Sequence, residues 1–237
     1  MKIAANIARW LFILCLPPLL MSATIAIEFN SLSIYTDGFE KYNVSQTTGL
    51  SDAELEKAAA GLISYFNSGE EYIDLTVTKN GEPFELFNER ELGHLKDVKA
   101  LIHLDYCLLL GTAIYVGVYA GFVLSRKKRG LRKLARGTVI GSSIALGLII
   151  ALGIAAMSVN FDQMFLQFHF LAFTNDLWLL NPTTDYLIML FPEGFWLDVG
   201  IRFGIMIAGV AATLCGISLV YLKRTREKNA NLSSDQS

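Results

Sequence analysis

The chain has 237 residues, of which 53% are hydrophobic and 18% are charged, and its formal net charge is −2. This composition is too apolar for a soluble domain, and the apolar residues are gathered into four blocks of the length, roughly 20 residues, that a helix needs to cross a bilayer. The three cysteines fall inside these blocks, which excludes disulfides and a cysteine nucleophile in the polar segments. The sequence therefore predicts a polytopic helical membrane protein.

The positions of lysine and arginine predict how the four blocks are oriented across the membrane. The segment 125–136 has seven bases and no acid, and the tail adds four bases, so both are expected in the cytoplasm. The segment 28–99 has fourteen acids and six bases, and 160–198 has five acids and no base, so both are expected outside it. The predicted segments are a first transmembrane helix (1–27), an extracytoplasmic domain (28–99), a second transmembrane helix (100–124), a basic cytoplasmic loop (125–136), a third transmembrane helix (137–159), an extracytoplasmic interfacial segment (160–198), a fourth transmembrane helix (199–222) and a cytoplasmic tail (223–237).

The first apolar block contains Pro17 and Pro18. Two adjacent prolines interrupt backbone hydrogen bonding, and a membrane helix tolerates this only against neighbouring helices, so we expect this helix to pack inside a bundle. Its short apolar core also resembles that of a signal peptide cleaved near Ala26. We favour a retained helix, because Thr24 and Ile25 make a poor approach to a cleavage site.

The extracytoplasmic domain is predicted to combine helix and strand. Ser51 and Glu54 have capping-box spacing, and apolar residues then recur at helical spacing as far as Phe66. The segments 73–77 and 84–87 are rich in β-forming residues and flank an Asn-Gly pair, which favours a hairpin turn. The predicted fold class is therefore membrane α-helical: a four-transmembrane-helix bundle with a small α+β extracytoplasmic domain and an aromatic-rich interfacial extracytoplasmic loop.

A polar stretch from Asn88 to Val98 joins this domain to the second membrane helix. Asn88 and Glu91 have the spacing of a second capping box, and no break follows before the apolar run. One helix is therefore expected to begin in water and to continue into lipid. Glu91, His94 and Asp97 recur every third residue, so they share about one face of this helix.

The second extracytoplasmic segment is unusual, because it holds ten aromatic residues between 161 and 196 and only acidic charges. A loop this apolar is expected to lie in the outer interface as short helices, one including His169 and one begun by Pro182. Arg202, just inside the fourth membrane helix, needs a partner. The acids expected within its reach are Asp105, Asp176, Glu193 and Asp198.

All three histidines, His94, His103 and His169, are expected on or just below the outer face. Imidazole titrates near neutral pH, so a pair can remove a proton at one nitrogen and orient or receive one at another. The surrounding aromatic residues would hold acyl chains. No Gly-x-Ser-x-Gly motif supports a serine esterase. For His103, snorkelling to the interface and a functional role both fit its position.

Two separated motifs resemble a known family. The first surrounds His94 and reads Asn88-Glu-Arg-Glu-x-x-His94-x-x-Asp97-Val98, and the second reads Phe168-His169 followed by Phe173-x-Asn175-Asp176-x-Trp178-x-x-Asn181-Pro182. In this order they resemble the family of four-helix bacterial integral membrane proteins that includes the lipoprotein intramolecular transacylase. Leu95 departs from the family pattern, in which methionine is expected.

The resemblance implies an acyltransferase that moves the sn-2 acyl chain of the diacylglyceryl group on a lipoprotein's N-terminal cysteine to that cysteine's own α-amino group, leaving a lyso-form lipoprotein. It implies a bacterial plasma-membrane protein with cytoplasmic termini, an extracytoplasmic active site and no cofactor or metal. The partners would be diacylglyceryl-modified lipoproteins and membrane lipids, with no nucleic acid. The implied catalytic residues are His94 and His169. The residues expected to bind the substrate or to orient the two histidines are Arg90, Glu91, Asp97, Asn175, Asp176 and Trp178.

Two other functions fit the same residues. Glu91, His94 and Asp97 with His169 could bind zinc and give a metal-dependent membrane hydrolase. The protein could instead bind lipids or lipoproteins without catalysis, with histidines that only sense pH.

Overall fold

The computed structural model describes residues 2–125 and 127–234, which form a mainly helical chain with one small sheet. In chain order the elements are α1 (Lys2–Phe29), α2 (Leu32–Lys41), α3 (Val44–Thr48), α4 (Asp52–Phe66), β1 (Thr76–Lys79), β2 (Glu82–Glu85), α5 (Glu89–Leu124), α6 (Lys127–Val159), α7 (Phe161–Ala172), α8 (Tyr186–Leu190) and α9 (Glu193–Ser234).

Four helices within the described residues are long and apolar enough to cross a membrane, and the predicted fold class is confirmed. The candidate spans are Ile3–Phe29, Glu89–Leu124, Gly130–Ser158 and Glu193–Lys228. The predicted second helix is continuous with the polar stretch before it, as expected. Most of the segment predicted as a basic loop is helical, because α6 already begins at Lys127. Arg126 and the last three residues of the predicted tail lie outside the described residues.

The chain divides into two compact units, and the first comprises residues 1–24, 106–154 and 204–237. Its core is formed by Phe12, Ile13 and Leu16 of α1. The ring of Phe12 stacks on Tyr119 of α5 with centroids 4.7 Å apart. The hydroxyl of Tyr115 donates to the carbonyl of Ala8 at 2.9 Å. The proline-containing helix therefore packs against its neighbours in this unit, as predicted.

Small residues of α6 allow part of this close packing. A Cβ atom at Gly141 would lie 2.6 Å from Leu16 Cδ1 and 3.0 Å from the carbonyl oxygen of Ile13. Nothing lies within 4 Å of such an atom at Gly147 or Gly153. Gly141 therefore permits a close helix contact, whereas Gly147 and Gly153 face open space.

The second unit comprises residues 25–105 and 155–203. Within it, Ser51 Oγ accepts the Glu54 amide at 3.4 Å, but the Glu54 carboxylate accepts the amide of Thr78 at 3.0 Å. The capping box predicted at Ser51 and Glu54 is therefore only half formed, and its acid links α4 to β1. Asn80 and Gly81 have φ angles of 56° and 88°, which make the predicted tight turn between antiparallel β1 and β2.

Three details of this unit differ from the sequence predictions. The strands lie closer to the turn than expected, and the residues flanking them, among them Leu75 and Leu86, are buried in the core. Pro182 does not begin a helix, because Asn181 accepts the amide of Thr183 in a turn and α8 begins only at Tyr186. Helices α2 and α3 were not predicted.

The predicted ion-pair partner of Arg202 was wrong. Its guanidinium lies 4.0 Å from the carboxylate of Asp37, an acid of α2 outside the expected set. Asp198 instead accepts hydrogen bonds from Lys41 and from the hydroxyl of Tyr42, at 2.5 and 2.7 Å. The physical reason is that α2 packs in this unit and brings its own acid to the fourth membrane helix.

Candidate active site

The helix that carries His94 begins with a fully formed capping box. The Asn88 side chain accepts the amide of Glu91 at 3.1 Å, and the Glu91 carboxylate accepts the amide of Asn88 at 2.8 Å. This reciprocal pair satisfies amides that have no partner inside the helix. The first turn of α5 is therefore fixed one turn before His94.

Glu91 also joins α5 to the segment 160–198. Its side chain is buried, with 1% exposure, and its second oxygen accepts the amide of Leu187 at 2.6 Å. Both oxygens of Glu91 therefore bind backbone amides. Asn88 strengthens the same junction, because its side-chain amide donates to Asp185 at 3.1 Å. Glu91 thus holds the segment beside the helix, and within the described residues its hydrogen bonds go to these amides and not to the imidazole that it was expected to orient.

Hydrogen bonds converge on Asp185, which lies in the same junction outside the membrane helices. Partial desolvation alone would raise the pKa of its carboxyl, but hydrogen bonds from the Asn181 amide, Thr184 and Asn88 outweigh it and lower the pKa. Asp185 therefore stays ionised, and the junction keeps its acceptor at neutral pH.

His94 lies in the wall of a buried region and retains an unused nitrogen. The residue is 7% exposed, and its Nδ1 has no hydrogen-bond partner among the described residues. The ring of Phe173 packs edge-on against it with centroids 5.0 Å apart. An unpaired buried nitrogen is costly unless a ligand meets it, so His94 is a candidate to contact a substrate.

His169 lies on α7, and its ring centroid is 6.0 Å from that of His94. Its Nδ1 lies 2.8 Å from the carbonyl oxygen of Phe165, four residues earlier in the same helix. A carbonyl oxygen can only accept, so Nδ1 carries the proton, and in the neutral ring the lone pair is on Nε2. Phe165 and Trp178 contact the ring, with centroids 4.5 and 5.0 Å away.

The turn after α7 brings most of the other predicted residues together. The Asn175 side-chain amide donates to Asp97 at 2.8 Å, and its backbone carbonyl accepts the Trp178 indole N–H at 2.9 Å. Arg90 pairs with Asp176, with nitrogen and oxygen 3.4 Å apart. These contacts fix the turn on α5 and place Trp178 against His169. These predicted residues therefore bond mainly to one another, and in doing so they hold the turn beside the two histidines.

A glycine permits this close approach. A Cβ atom at Gly93 would lie 2.8 Å from Leu177 Cδ1, in the middle of the same turn. The residue before His94 therefore leaves the space that the aromatic segment occupies.

Both imidazoles line a cavity of about 130 Å³ within the second unit. Its wall is almost entirely apolar and aromatic. The lining residues besides the two histidines are Glu28, Phe29, Ile34, Tyr35, Leu62, Phe66, Leu95, Val98, Phe165, Trp178, Leu180, Leu187, Ile188, Phe191, Phe195, Trp196 and Val199. Such a wall suits hydrocarbon chains next to a few polar groups.

Sequence reasoning did not single out Glu28 as a site residue. Its position could have drawn attention to it, because Glu28 is the first acidic residue in the chain and directly follows the first apolar block. Glu28 is 4% exposed and is the only carboxylate in the cavity wall that the described residues form.

His103 does not line this cavity. Its Nε2 lies 2.9 Å from the carbonyl oxygen of Phe66, near the end of α4, and so it donates a hydrogen bond there. We expect His103→Ala to retain at least about half of the wild-type activity and to lower the thermal unfolding midpoint slightly, because one hydrogen bond contributes about 1 kcal/mol. Activity assays and thermal melts of the purified variant test this. An inactive but folded His103 variant would mean that the wrong histidine has been placed in the pair.

The proposed metal set does not form in the structure. Glu91 uses both carboxylate oxygens on backbone amides, and Asp97 accepts from Asn175. In the described part of the chain, no group of three or more His, Cys, Asp or Glu residues is arranged to hold a metal ion. The metal-hydrolase alternative therefore loses the ligands on which it depended.

The fold and the site define a polytopic membrane protein with two imidazoles in an aromatic-walled cavity. A family model described as lipoprotein intramolecular transacylase Lit matches residues 10–196, which is most of the chain. The chain therefore belongs to the Lit family of lipoprotein intramolecular transacylases. No curated protein sequence is significantly similar to it.

Solved structures of the membrane-integral lipoprotein intramolecular transacylase Lit from Bacillus cereus are also similar. One has 18% identity and a TM-score of 0.75, covering 96% of this chain and 100% of that chain. A variant of that protein with a histidine replaced by alanine has 18% identity, a TM-score of 0.73 and coverages of 94% and 95%. A histidine-to-arginine variant has 19% identity, a TM-score of 0.71 and coverages of 96% and 97%. This likeness shows that the fold is shared.

Proposed function

We propose that this chain moves the sn-2 acyl chain of a diacylglyceryl-modified lipoprotein to the α-amino group of the same N-terminal cysteine, with His94 and His169 as the catalytic residues. The observation that carries the proposal is the pair of imidazole rings, 6.0 Å apart, in the wall of one apolar cavity. Membership of the Lit family supports the reaction class.

The chemistry needs one proton to leave and one to arrive. The neutral amine attacks the ester carbonyl carbon, a carbon–nitrogen bond forms and the bond from that carbon to the glyceryl oxygen breaks. One proton leaves the nitrogen, and one must reach the departing oxygen. The two imidazoles, with ring centroids 6.0 Å apart, would carry out these two proton transfers, one at each ring.

The site supplies little besides these protons, which suits an intramolecular transfer. The nucleophile and the ester belong to the same molecule, so holding them in the reactive geometry can itself supply several kcal/mol of the barrier reduction. Aromatic rings such as Phe191 and Trp196 would hold the acyl chains. The turn fixed by Asp97, Asn175 and the Arg90–Asp176 pair would position His169 and Trp178.

The distribution of charge supports a sidedness for this reaction. The bases gathered in 125–136 and after 222 favour cytoplasmic positions for that loop and both termini. The histidines belong to the acidic segments, so the active site would face the extracytoplasmic side, where mature lipoproteins are anchored by their acyl chains.

Mass spectrometry of a lipoprotein's N-terminal peptide tests the function. We expect cells with the protein to yield a peptide of unchanged total mass in which one acyl chain has moved from glycerol to nitrogen, and cells without it to keep both chains on glycerol. A peptide lighter by one acyl chain would indicate a hydrolase. Identical fragment spectra from both cells would contradict the transacylase and favour a binding protein.

A further inference from the structure

A buried acid in the cavity has no role in the reaction as described so far. Glu28 lies near the end of α1, is 4% exposed and shares the cavity wall with both histidines. Its Oε1 is buried and meets no hydrogen-bond donor within the described residues. A carboxylate buried without donors is strongly unfavourable, so such a group is typically kept for a ligand.

The neighbouring polar groups do not satisfy this acid. The hydroxyl of Tyr35, also in the cavity wall, donates to the carbonyl of Phe29 at 3.0 Å. Arg202 attracts Glu28 electrostatically, but its ion pair within the described residues is with Asp37, at 4.0 Å. No lysine or arginine lines the cavity in the described part of the chain. Glu28 is therefore the single acidic side chain in the described wall of a space that is otherwise apolar and aromatic.

We propose that Glu28 binds the α-ammonium group of the substrate's N-terminal cysteine and so places that nitrogen in the cavity that holds the histidine pair. This inference rests on the proposed transacylation. The bound ammonium first gives one proton to an imidazole, which passes it on to solvent, and the neutral amine so formed then attacks the ester as described above. The α-ammonium is the cation that such a substrate carries at its reacting end, and an acceptor-only carboxylate in an apolar wall is complementary to it. Esters, thioether and acyl chains offer no donor to this oxygen.

The expected consequence is selectivity for an N-terminal cysteine with a free amine. Acylation of the amine removes its charge, so the product loses the interaction with Glu28 and leaves more readily than the substrate. Glu28 is thus a substrate-binding residue that also distinguishes substrate from product.

Binding of unreactive analogues tests the inference without turnover. The probes are two dialkyl-ether lipopeptides without esters, one with a free α-amine and one with hydrogen in its place, each titrated against the purified chain in lipid vesicles. We expect wild type to bind the amine probe at least roughly tenfold more tightly, and Glu28→Gln to bind both equally. Glu40→Gln removes an exposed acid from the same unit and should keep the wild-type preference.

The two hypotheses fail in different ways. A Glu28→Gln chain that keeps the amine preference overturns the role of Glu28, even if the wild type transfers acyl chains. Failure of the wild type to transfer acyl chains in the mass-spectrometric test overturns the proposed function instead. If the Glu28→Gln protein does not fold, the affinities of the wild type for the two probes still test the inference. Equal affinities would contradict it.

Discussion

His94→Ala and His169→Ala are each expected to reduce acyl transfer by about 10²- to 10⁴-fold, the range that a positioned acid or base typically contributes. Each change removes the nitrogen atoms that would move a proton, and it leaves the rest of the cavity wall in place. His94 Nδ1 has no partner among the described residues, so its loss breaks no hydrogen bond made by that atom. The measurement is the initial rate of N-acylated product formed by purified variants in lipid vesicles.

His103→Ala is the matched control, because it removes a third imidazole from the same unit outside the cavity. Protein level and thermal midpoint must be recorded for all three variants, so that loss of chemistry is separated from loss of fold. If either His94→Ala or His169→Ala keeps the wild-type rate, the histidine-pair mechanism is wrong.

Glu91→Ala is expected to lower the free energy of unfolding by about 3 to 6 kcal/mol, since it removes two hydrogen bonds to a buried charged group at roughly 1.5 to 3 kcal/mol each. The amides of Asn88 and Leu187 would lose their acceptor. For a chain of this size, the thermal midpoint should fall by roughly 6 to 24 °C. Activity should fall too, because Leu187 lines the cavity and its segment would no longer be held on α5.

Two further variants separate the structural role of Glu91 from a general effect of charge. Glu91→Gln retains one acceptor oxygen and should lie between wild type and Glu91→Ala. Glu89→Ala removes an exposed acid from the same helical turn and should change the midpoint by less than about 2 °C. If the Glu91→Ala protein had the same thermal unfolding midpoint as the wild type, the junction would not depend on this carboxylate.

Features decided by neighbours in sequence could be predicted. The capping box at Asn88 and Glu91, the Asn80-Gly81 turn and the start of the helix after Ser51 depend on backbone groups a few residues away. The four membrane helices could also be predicted from the apolar blocks, because membrane thickness fixes the length of a spanning helix. The convergence of His94 and His169 came from the resemblance of two motifs, and their spacing alone did not require it.

Features decided by distant neighbours could not be predicted. Glu91 was expected to orient a histidine from its helical spacing, but its second oxygen is taken by Leu187, 96 residues later. Arg202 was given four possible acids and pairs with a fifth, Asp37, because α2 carried no clear periodic signal. Glu28 was not singled out from the sequence, because residues distant in the chain bury it in the cavity wall.

The hydrogen bond from His169 Nδ1 to the carbonyl of Phe165 has an evolutionary consequence. In a hydrolase triad an acidic side chain orients the imidazole, so a single substitution can remove the orienting group. In this chain the main chain of α7 provides that group, and every amino acid at position 165 would supply the same carbonyl. The tautomer of His169 therefore depends on the helical backbone. A substitution at position 165 that preserves the helix would leave this hydrogen bond in place.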